Sequence, residues 1–179
     1  MRLRSATSAA ERPSRAGISP ALTIEAETAS QGCTHCGLPL PEERRSSRFC
    51  CTGCEAVHGL LRAEGLTRFY DLGGRATGAV GAVPRVPAFD WLPEREARAA
   101  ADAPAGSAVQ LLLDVQGLRC AACVWLLRAL FERVDGGLAL SVAPSLGQVT
   151  LRYRRGSGAA QRFLERAAAL GYPMAPPSR

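Results

Sequence analysis

Between residues 109 and 115 the apolar side chains Val109, Leu111, Leu113 and Val115 alternate with their neighbours, the period of a strand with one face in a core. The stretch "GLRCAACVWLLRALFERV" (117–134) then changes period: Cys123, Leu127, Leu130, Phe131 and Val134 share one helical face, and the glycines at 136 and 137 end it. Alternation returns at Leu138, Leu140 and Val142, turns at "PSLGQ", and resumes at Val149, Leu151 and Tyr153. From about residue 158, Ala160, Phe163, Leu164, Ala167 and Leu170 recur at helical spacing before "GYP". The order β-α-β-β-α, with room for a short final strand, predicts an α+β, ferredoxin-like βαββαβ domain over 107–179. Pro173, Pro176 and Pro177 cannot donate ladder hydrogen bonds, so that final strand must be short or at an edge.

Upstream the pattern is weaker. Residues 1–30 show no sustained period and read as a disordered tail. Residues 31–75 form a cysteine-rich unit in which Ala56, Val57, Leu60 and Leu61 recur at helical spacing and Gly65 sits where that helix would stop. Residues 76–106, rich in Pro, Gly and Ala, read as a linker with Phe89 and Trp91 as isolated anchors. Aromatic content is only 6%, with 18 glycines and 12 prolines, so two small units are expected rather than one sizeable core.

Charge adds little. The net charge of +6 is carried by scattered arginines without a single lysine, and Arg44, Arg45 and Arg48 stand beside Glu42 and Glu43. Nucleic-acid binding is therefore not expected. No apolar run approaches the ~20 residues of a membrane span, and the start has no apolar signal-peptide core. A cytoplasmic location is the resulting expectation. In that reducing compartment, closely spaced cysteines are metal ligands or redox groups more often than structural disulfides.

Seven cysteines fall in two groups. Cys120 ends the loop after the first strand and Cys123 lies in the first helical turn, where unpaired N–H groups and the macrodipole favour thiolates. Two such sulfurs, separated by Ala121 and Ala122, suit a soft cation, copper(I) above all. The spacing also permits a thiol–disulfide redox pair. In the first group Cys33 and Cys36 pair with Cys51 and Cys54 across a 14-residue loop. Two such CxxC knuckles can close the tetrahedral sulfur shell of a structural zinc site, and a unit of this size needs one to fold. Cys50 could replace Cys51, though only Cys51 keeps the CxxC spacing with Cys54, so Cys50 is read as an auxiliary thiol. Either of His35 and His58 could be an alternate ligand, but each is read as a bystander or indirect support.

"GLRCAAC" after a strand, followed by an apolar helix and later by "LGY", resembles the heavy-metal-associated domain of copper chaperones and copper-transporting P-type ATPases. Leu118 stands where that family usually has methionine. "CAACVWLL", and the run from "CTHCGLPLP" through "FCCTGCEAVHGLLRAEGLTRFYDL", resemble the N-terminal region of the ATPase branch that supplies copper to respiratory oxidases. The resemblance implies that Cys120 and Cys123 ligate copper, that Tyr172 shields the metal loop, and that copper passes to a partner's cysteines by thiolate exchange. It leaves zinc or copper open for Cys33, Cys36, Cys51 and Cys54. The partners implied are a copper chaperone or a membrane copper ATPase, which would hold this chain at the inner face of the membrane. No membrane bundle, Asp-Lys-Thr-Gly-Thr segment or nucleotide domain occurs in the sequence, so the expectation is a metal-binding part, stand-alone or split from a pump, and not an enzyme. A thiol–disulfide oxidoreductase and a zinc-finger adaptor are the alternatives.

Overall fold

The computed structural model of the chain describes residues 32–76, 78–101, 104 and 107–177. The predicted tail 1–30 lies outside the described residues. The alternating segments form one antiparallel sheet from β1 (Ala108–Val115), β2 (Gly137–Ala143), β3 (Gln148–Arg154) and the two-residue β4 (Met174–Ala175), in the order β2-β3-β1-β4. Among the described residues the α-helices are α1 (Thr52–Ala63), α2 (Arg68–Asp71), α3 (Leu92–Ala99), α4 (Ala121–Phe131) and α5 (Ala159–Ala169). With α4 joining β1 to β2 and α5 joining β3 to β4, residues 108–175 have the ferredoxin-like βαββαβ topology.

In β1 and β3 strand alternation becomes burial directly, whereas in β2 Leu138 is exposed and Leu140 and Val142 are only partly buried. Val109, Leu111, Leu113 and Val115 are all buried, and Leu111 pairs with Leu151 as Leu113 does with Val149. Helices α4 and α5 cover this face, Phe131 meeting Phe163 edge to face with ring centres 5.1 Å apart. The prolines confine β4 to the sheet edge beside β1.

Two features differ from the sequence reading. The cysteine-rich unit does not keep a core to itself: Val57 and Leu61 of α1, with Leu66 and Phe69, join the buried cluster that contains the sheet residues. Helix α4 is the shared wall. Its buried residues, Ala122, Cys123, Leu126, Leu127, Ala129, Leu130 and Phe131, run around most of the helix because α2 packs against it opposite the sheet, and Arg68 lies 5.9 Å from the Trp125 ring centre. The second difference lies in the predicted linker. Helix α3 docks on β1 through Leu92, 3% exposed, and the anchors Phe89 and Trp91 stack edge to face beside it.

Candidate metal centres

All seven cysteines are free thiols. In the N-terminal unit the Sγ atoms of Cys33, Cys36, Cys50 and Cys54 all lie within 4.8 Å of one another. Cys36 and Cys50 are 3.5 Å apart, and Cys50 and Cys54 are 3.6 Å apart. A zinc ion bound at ~2.3 Å by four sulfurs gives tetrahedral edges of ~3.8 Å, so the cluster already has the size of a tetrathiolate cage.

The fourth sulfur differs from the CxxC expectation: Cys50 stands in the cluster where Cys51 was predicted. Cys51 is the N-cap of α1, in extended conformation, and its sulfur bends back to accept the Cys54 N–H at 3.4 Å. It also accepts the Gly81 N–H at 3.2 Å. That sulfur lies 3.9 Å from Cys50 Sγ, at the rim of the four-sulfur cluster, where it satisfies the helix's orphan donors while the preceding residue completes the cluster. Neither histidine belongs to the cluster. His35 is 4% exposed and hydrogen-bonds through Nδ1 to the Tyr70 hydroxyl at 3.0 Å, while His58 stacks between Phe49 and Tyr70.

A strap formed by residues 80–82, unforeseen in the sequence, covers the cage. The Val80 N–H donates to Cys54 Sγ at 3.5 Å, and the Gly53 N–H donates to the Gly81 carbonyl at 3.0 Å. Gly53 has to be glycine here, because a Cβ would lie 2.4 Å from the Ala82 oxygen and 2.8 Å from Val80 Cγ1. Gly53→Ala should lift the strap and raise the rate at which a chelator strips the site by on the order of tenfold, as loss of indirect ligand support does. Stopped-flow metal release would measure this.

The cage thiols have unequal acidities. Burial pushes Cys33 up, but N–H donors from Cys36, Cys50 and His35 more than offset it and bring the thiol to about 6. Burial drives Cys50 up to about 12 and raises Cys54 as well. Four thiolates cannot coexist there without a compensating cation, which is the property of a metal-dependent cage.

At the other site Cys120 is the N-cap residue of α4 and Cys123 lies in its first turn, with their sulfurs 3.0 Å apart. That is well beyond the ~2.05 Å of a disulfide, and the two sulfurs stand side by side. Gly117, at φ +87, turns the loop, and the Tyr172 ring lies 3.7 Å from where its Cβ would be. Burial pushes the Cys123 thiol up, but hydrogen bonds from Cys120, the Tyr172 hydroxyl and local N–H groups bring it below the ordinary value. Burial and the contact with Cys123 raise Cys120 instead. Cys123 is 3% exposed and Tyr172 8%, whereas Cys120 sits on the surface.

Comparison with curated proteins found no match. Among solved structures, one match is a solution structure of a protein from Bacillus anthracis str. Ames described as a "putative copper-ion-binding protein". It is 20% identical, with a TM-score of 0.37, and the alignment covers 40% of this chain and 100% of that one. Another is the crystal structure of oxidized MerP from Ralstonia metallidurans CH34, 22% identical, with a TM-score of 0.36, covering 38% of this chain and 96% of that one. Over residues 32–88, which hold the sulfur cage, α1, α2 and the strap, the chain matches the family model described as "Putative metal-binding domain of cation transport ATPase".

Proposed function

We propose that the chain binds copper(I) through Cys120 and Cys123 and passes it by thiolate exchange to a copper chaperone or a membrane copper ATPase. In this reading copper is cargo, and the chain serves on the cytoplasmic side as a stand-alone or split metal-binding part of a heavy-metal P-type ATPase. Its role is binding and not catalysis. Among the described residues no helix is long and apolar enough to cross a membrane.

The observation that carries the reading is the two-level placement of the pair, with Cys120 on the surface and Cys123 buried beside Tyr172. An exposed sulfur lets an incoming thiolate displace it while the inner sulfur keeps its hold, and soft sulfur ligands select a soft monovalent ion.

Zinc suits the cage of Cys33, Cys36, Cys50 and Cys54, whose sulfurs are buried and spaced for tetrahedral ligation. There it would supply a crosslink with no open position. The test is a Cys120→Ser/Cys123→Ser double variant, handled anaerobically. It should lose one equivalent of tightly bound copper(I) while its thermal stability stays within about 1 kcal/mol of the parent. Unchanged copper stoichiometry would refute the assignment.

A further inference from the structure

A sealed structural metal site offers no path to its sulfurs, but this cage has one. Cys36 lines a cavity of about 610 Å3, and Cys120 and Cys123 line the same cavity from the opposite unit. Its remaining walls are largely apolar, with Val57, Leu61, Phe69 and Leu126 among them. On the cage side His35, which lines the cavity, holds the Tyr70 hydroxyl at 3.0 Å, and on the pair side Tyr172 lines it beside Cys123.

Cys120 lines a second, open depression as well, on the outer surface beside Leu118, Val124 and Pro144. The thiol pair therefore stands between an outer face that another protein can reach and a cavity that it shares with Cys36 of the cage. We infer that a copper(I) ion held by Cys120 and Cys123 passes across the inner cavity to the cysteine cage, with Cys36 as the receiving sulfur. This rests on the copper reading of the pair given above and adds a second, internal destination for the ion.

The step is a ligand exchange without redox change. In the loaded cage Cys36 is already a thiolate, so the bond from copper to Cys36 Sγ forms as the bonds from Cys36 to the resident divalent ion and from copper to Cys120 Sγ break. The freed Cys120 thiolate takes a proton from solvent and the divalent ion leaves to water. Exchange of the Cys123 bond for a second cage sulfur completes the transfer. Four thiolates favour a soft monovalent ion over the harder divalent ion they held, so the transfer displaces the resident metal.

Cobalt(II) placed in the cage of the full chain gives a coloured reporter. One equivalent of copper(I), supplied from a chelate under anaerobic conditions, should load the thiol pair and then discharge the cobalt colour, at a rate independent of protein concentration. Cys120→Ser, at an exposed position, and Ala79→Phe, which fills the cavity from its wall, should each slow the discharge at least tenfold. Equal rates in the parent and both variants, or a rate proportional to protein concentration, would sink the relay. Copper bound at the pair with the cobalt colour intact removes the relay alone. A parent that takes up no copper at the pair removes the underlying reading.

Discussion

Cys50→Ser should weaken metal binding at the N-terminal cage by more than about 100-fold, whereas Cys51→Ser should leave it within a few-fold of the parent. Removing one of four coordinating sulfurs costs more than the 10–100-fold typical of losing a group that merely supports a ligand. Cys50 Sγ lies 3.5 Å from Cys36 and 3.6 Å from Cys54, inside the cage. Cys51 Sγ caps α1, a task serine performs well, so its replacement should also leave helix stability nearly unchanged. Competition against a chromophoric chelator measures both affinities. The reverse ranking would restore the paired CxxC ligand set that the sequence suggests.

Stripping the cage metal should have the largest effect on stability. Apparent binding free energies at structural zinc sites are about 10–16 kcal/mol, and most of this is folding free energy for a unit with little core of its own. With the metal gone, the two thiols that burial keeps protonated, Cys50 and Cys54, and their hydrogen bonds cannot hold residues 33–54 in place. Hydrogen exchange after chelation should show lost protection throughout α1 and α2. Strands β1 and β3, joined by an antiparallel ladder from Ala108 to Asp114, should keep theirs. The exposure should extend to Leu126 of α4, which shares a cavity wall with Val57, Leu61 and Phe69. Uniform protection before and after chelation would show that the shared apolar core suffices without metal.

The sheet domain was legible because its signals are periodic and local. Leu111, Leu113, Val149 and Leu151 alternate in sequence as they do in burial, and Ala160, Phe163, Leu164 and Ala167 mark the buried stripe of α5. Thiol spacing brings out both sulfur groups, but it favours Cys51 over Cys50, the residue found in the four-sulfur cluster. The two are adjacent, and the choice depends on which side chain the first turn of α1 recruits as its cap. The strap was hidden for a related reason: its donors are backbone N–H groups of Val80 and Gly81, and backbone chemistry leaves no mark on residue identity. Gly53, a glycine inside a helical pattern, was the one available hint of a close backbone approach.

The docking of the two units did leave a signal. "CAACVWLLRALF" is apolar nearly all round, and a helix of that kind needs cover on more than one side. The sheet and α5 account for Phe131 and its neighbours, which leaves Leu126 asking for a second partner.

Leu126, 1% exposed between the two units, also bears on how such a chain can be divided. Residues 107–177 excised as a free-standing module would present an oily strip to water along one flank of α4. The segment is therefore not an interchangeable cassette: wherever it is grafted, a cover of matching shape must accompany it, or polar residues must replace those at 122 and 126.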